Sequence, residues 1–168
     1  MLPSIRTTML FTVAGLVLSA ADGQAQSATG RFTGSLRGQE GARGTSMARA
    51  GDSSRLSGTI EITPSPSQKE GVFTVKIRLT STGGMPPTTM LQWTIAPGRC
   101  GARLQPLVPP TSVSPLEVRS GGDADAQWEG PVNLTADGSY QLVVFGMSGV
   151  REQDVLACGN LKYQKPKS

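Results

Sequence analysis

A chain of 168 residues has room for one domain and little more. Its 21 glycines and 12 prolines, its aromatic content of 5% and the absence of a long helical apolar period exclude a helix bundle and favour a turn-rich all-β domain. The formal charge of +4 gathers near the ends, Arg31, Arg37, Arg43, Arg49 and Arg55 against Glu40 and Asp52 on one side and Lys165 and Lys167 on the other. The body from 56 to 163 is close to neutral, which excludes the basic stripe with aromatics or a recognition helix that marks a nucleic-acid binder.

Residues 1–25 read as a secretory signal. Arg6 gives the positive start, Met9 to Ala21 an apolar stretch, and Gly23-Gln24-Ala25 a small-residue cleavage site. The apolar run falls short of the ~20 residues needed to span a bilayer, so no transmembrane segment is expected once the signal is removed. No cysteine follows it to carry a lipid, and the mature chain is expected from Gln26, secreted or periplasmic. In a eukaryotic source Asn133-Leu134-Thr135 would be a glycosylation acceptor.

Residues 26–46 are polar and glycine-rich, and low hydrophobicity marks them as a flexible leader. Arg31, Arg37 and Arg43 recur every six residues, a period of neither helix nor strand. They suit an arm drawn to an anionic surface, and equally a solubilising segment. The folded domain is expected over 47–163, with 164–168 a basic tail. A first strand is placed at 46–50 and a second at 56–63, where Leu56, Ile60 and Ile62 share one side. The third, 72–80, turns Phe73, Val75, Ile77 and Leu79 inward and Thr74, Lys76, Arg78 and Thr80 outward.

A fourth strand spans 89–96 and ends at Pro97-Gly98. The proline-rich stretch 104–115 crosses between sheets, and 116–119 is a short edge strand. Residues 124–134 alternate loosely around Trp128, 140–145 form a strand after the Ala136-Asp137-Gly138 turn, and 154–161 form the last. Seven to eight antiparallel strands with short connections predict a Greek-key β-sandwich or barrel.

Cys100 and Cys158 are the only cysteines. In an exported chain the simplest arrangement is one disulfide between them, and free thiols serving redox or metal chemistry are the alternative.

Ser57-Gly58-Thr59-Ile60, Gly98-x-Cys100 after the strand containing Trp93, and Ala157-Cys158-Gly159 in the closing strand resemble copper/zinc superoxide dismutase and the related chordin-type (CHRD) sandwich domains. The resemblance covers about 47–163. It implies an eight-stranded Greek-key sandwich in which Cys100 ties a loop to the last strand through Cys158. It also implies a His-x-His copper pair where this chain has Thr94-Ile95-Ala96, and an active-site arginine where it has Val155. With no imidazole to bind copper or zinc, Thr94 and Ala96 stand at lost ligand positions, and the fold is expected without its chemistry. An immunoglobulin domain fits less well, because Trp93 precedes Cys100 and Leu156 stands two before Cys158.

Other residues offer weaker sites. Asp123 and Asp125 form an Asp-x-Asp pair suited to calcium or to carboxylate hydrolysis, and equally to a hydrated turn. Met85 and Met90 flank the loop before the former ligand strand and carry thioethers of the kind that hold Cu(I), though methionine also fills cores. A serine nucleophile lacks a histidine base, and Lys69, Lys76 and Lys162 read as exposed. Three functions follow as expectations, with no cofactor and no nucleic-acid partner. They are a non-catalytic binding or structural module of the cell envelope, a copper-handling protein of superoxide dismutase ancestry, and a carbohydrate- or surface-binding module using an exposed Trp93 or Trp128.

Overall fold

Alternating apolar side chains dictate paired strands, and the computed structural model describes eight of them within residues 29–39, 56–67, 69–82, 89–146 and 155–166. They are β1 (Arg31–Gly38), β2 (Leu56–Pro64), β3 (Val72–Ser81), β4 (Met90–Pro97), β5 (Leu116–Glu117), β6 (Asp123–Pro131), β7 (Tyr140–Gly146) and β8 (Val155–Gln164). All pairings are antiparallel, and the sheet runs in the order β5-β4-β7-β8-β1-β2-β3-β6. Among the described residues the one helical element is the 3₁₀ turn Pro110–Ser112.

The edge strands β5 and β6 come back together, so the sheet rolls into a nearly closed Greek-key barrel. The 110–114 segment fills the seam between β4 and β6. Trp93 Nε1 donates to the Ser114 carbonyl at 2.9 Å, and Trp128 Nε1 to that of Ser112 at 3.0 Å. The two indoles meet edge to face with centroids 6.2 Å apart. Inside lie Phe32 and Leu36, Ile60 and Ile62, Phe73 to Leu79 on alternate positions, Leu91, Trp93 and Ile95, and Leu142 and Val144, all buried. A second, smaller core lies outside the barrel wall. Val143 and Phe145 of β7 and Cys158 of β8 are covered there by Cys100 and Leu104.

The cysteines form the Cys100–Cys158 disulfide, with Cα atoms 5.8 Å apart. The period-two patterns of β2 and β3 place their residues as expected, except that Thr74, read as outward, is buried.

The largest difference is at the leader. Residues 31–38, expected as part of a flexible 26–46 segment, are β1, paired with β2 on one side and β8 on the other. Glycine here serves close approach and not looseness. A Cβ on Gly30 would sit 2.3 Å from the Gln164 carbonyl oxygen, and one on Gly34 would sit 2.7 Å from that of Asn160. The domain therefore begins at least as early as Arg31, and β8 runs on through Gln164, where a tail was expected. The proposed first strand at 46–50 falls outside the described residues.

Candidate functional site

The place where the resemblance would put a copper pair lies on β4. Leu91, Trp93 and Ile95 point into the barrel, so Thr94 and Ala96 point out, yet both have 0% exposure. The 104–109 segment lies over them. Leu107 N donates to the Ile95 carbonyl at 2.8 Å, and Thr94 Oγ1 to that of Val108 at 2.6 Å. Val155 packs on the outer core. A methyl group and a hydroxyl already committed to the backbone do not fit a copper or zinc ion.

Asp123 and Asp125 do share the outer face of β6. Their partners are local: Thr80 Oγ1 donates to Asp123 at 3.0 Å, and Arg119 pairs with Asp125. The next carboxylate along, Glu129, accepts from the buried Ser65 hydroxyl. Among the described residues no three His, Cys, Asp or Glu side chains gather to hold a metal. Met90 is 36% exposed at the start of β4, and Met85 lies outside the described residues. Trp93, considered as an exposed platform, is fully buried, because its indole fills the barrel seam; Trp128 is half-buried against it.

Position in the sheet assembles a different site, on the outer face of β8, β1, β2 and β3. Strand register sets three rows across that face. Lys162, Thr33, Glu61 and Lys76 form one; Asn160, Ser35, Thr59 and Arg78 the next; Cys158, Arg37, Ser57 and Thr80 the third. Beneath the middle row the inward residues are Gly34 and Gly159, where a Cβ would meet the Asn160 and Ser35 carbonyl oxygens, each at 2.7 Å, and Ile60 Cδ1 at 3.4 and 2.9 Å. The wall lies close to the core there, and the short outward residues Thr33, Ser35 and Thr59 floor a trough of about 890 Å³. Its rim carries Arg37, Lys76, Arg78 and Lys162 against the single carboxylate Glu61.

None of the four rim cations forms a salt bridge with another described residue, while Glu61 lies 3.9 Å from Arg31 on its far side. Arg31 also donates through Nε to Gln164 Oε1 at 2.6 Å. The carboxylates of β6, Asp123 and Asp125, border the positive field beyond β3. At the other end the disulfide loop forms a wall, fixed by the Cys100–Cys158 bond and by Cys100 N donating to Asn160 Oδ1 at 2.8 Å.

The charge of the body, close to neutral in sum, is therefore sorted across its surface and not evenly spread. Of the arginines suggested for an anionic surface, Arg37 lines the trough, Arg31 sits beside it, and Arg43 lies outside the described residues. Sequence parity marks Lys76 and Arg78 as outward but cannot reveal that Arg37 and Lys162 share their face, since that depends on β1 joining β2 to β8. Among the described residues no helix is long and apolar enough to cross a membrane. Comparison with protein-family models, with curated proteins and with solved structures returns no match, so the trough has to be interpreted from its own chemistry.

Proposed function

We propose that this protein is an exported, non-catalytic β-barrel module of superoxide dismutase-like ancestry that binds a polyanionic partner in or beyond the cell envelope. The observation that carries this is the trough on β8, β1, β2 and β3, where Arg37, Lys76, Arg78 and Lys162 face solvent, outnumber the one carboxylate Glu61, and form no salt bridge with another described residue. Clustered cations above a low-dielectric wall focus the field into the concavity and raise the local concentration of an anionic ligand. The signal-like residues 1–25 and the single disulfide support an oxidising, extracytoplasmic setting. The hydroxyl and methyl side chains of Thr94 and Ala96 support a role without metal turnover.

The test compares two charge-reversed proteins of equal net charge. One carries Arg37→Glu, Lys76→Glu, Arg78→Glu and Lys162→Glu; the other reverses the exposed residues Lys69, Arg99, Arg103 and Lys165, which lie off the trough. Binding of soluble polyglutamate, followed by fluorescence anisotropy, is expected to survive the second set and vanish with the first, and to weaken with salt. Equal loss in both proteins would reduce the attraction to net charge alone and remove the trough as a site.

A further inference from the structure

We infer that the occupant of the trough is an acidic polysaccharide, a chain of sugars bearing carboxylate or sulfate groups at intervals; this rests on the polyanion-binding reading above. The first argument is the spacing of the cations. Lys162 on β8 and Lys76 on β3 are three strand spacings apart, about 14 Å, and Arg37 stands in a different row from either. The cations do not converge on one point, as a single phosphate group would require, but suit charges distributed along a polymer.

The second argument is what lies between them besides Glu61, whose carboxylate is 3.9 Å from Arg31. Ser35 and Thr59 are exposed, and their hydroxyls make no hydrogen bond with another described residue. Asn160 accepts from Cys100 N through Oδ1, which leaves its amide NH₂ as a donor toward the trough. A floor of hydroxyls and an amide, able both to give and to accept, matches sugar hydroxyls.

The third argument is what the lining lacks. It contains no aromatic ring on which bases could stack, as single-stranded nucleic acid needs. Its one large apolar residue, Ile60, is buried, so no side chain is available to enter a bilayer. A concave surface also meets a rod-like chain better than a flat headgroup plane.

The experiment uses the full mature chain and four probes: oligogalacturonate for carboxylate, a heparin-type oligosaccharide for sulfate, single-stranded DNA, and vesicles of anionic phospholipid. Binding is measured for the parent protein, for the trough-reversed protein, and for a Ser35→Ala/Thr59→Val variant that keeps every charge. At least one of the two glycans is expected to bind more tightly than DNA or vesicles and to be lost on trough reversal. The hydroxyl variant is expected to weaken glycan binding about threefold to tenfold while leaving polyglutamate binding unchanged. Tighter binding of DNA or vesicles than of either glycan would overturn the polysaccharide inference while leaving a polyanion site in place, as would a hydroxyl variant indistinguishable from the parent on glycan. If polyglutamate binding is also indifferent to trough reversal, the underlying reading fails with it.

Discussion

Two threonines illustrate how little residue type alone predicts. Thr94 and Thr74 are both buried on the outward side of their strands, but Thr94 Oγ1 bonds the Val108 carbonyl at 2.6 Å, whereas Thr74 Oγ1 has no hydrogen-bond partner among the described residues. Removing a hydroxyl that satisfies a buried carbonyl leaves that carbonyl orphaned, while removing one that satisfies nothing relieves a desolvation cost. Thr94→Val should therefore lower stability by about 1–3 kcal/mol, and Thr74→Val, nearly the same change in shape, should be neutral or stabilising. Urea titrations with unchanged slope would report both. From the sequence, position 94 is legible as a place without metal-binding chemistry. Its actual partner, a carbonyl 14 residues away in a proline-rich crossing, is not, because that contact depends on how the loop is laid over β4.

Among the strands, β3 is legible apart from the burial of Thr74 and β1 is not, for one reason. In β3 every second residue is a large aliphatic or aromatic, so period two stands out. In β1 only Phe32 and Leu36 mark the inward side, with Gly34 between them where the wall presses on Ile60 and the Asn160 backbone. Composition averages that pattern into something that looks loose. The difference matters experimentally. A chain starting at Met47 lacks the strand that joins β2 to β8 and should fail to fold, while one starting at Gln26 should give the dispersed amide spectrum of a packed β protein. A folded Met47 chain would mean that β1 is dispensable.

For the molecule as a whole, the single disulfide fastens the outer core and one wall of the trough together. It closes a loop with a sequence separation of 58, which in the chain-entropy model is worth about 4 kcal/mol. The Cys100→Ala/Cys158→Ala protein should lose stability of that order in denaturant, and its glycan affinity should fall because Asn160 loses the fixed Cys100 amide beside it. A stability loss with unaltered affinity would confine the disulfide to a structural role. The pairing of the two cysteines was open to the sequence through simple arithmetic. The trough was not, because its four cations come from three strands whose adjacency is a property of topology.

That topology also governs when the molecule can take shape. Arg31 and Gln164 face each other across β1 and β8 although 133 residues separate them, and β1 has no second neighbour until β8 arrives. Local hairpins such as β2–β3 can form early, but the wall that carries the trough waits for the last strand to be made. Barrels dominated by such distant pairings fold in milliseconds to seconds, slower than helical domains. A nascent chain of this kind cannot close its barrel while it is being made, and the face shared by β8, β1, β2 and β3 exists only once its last strand has been added.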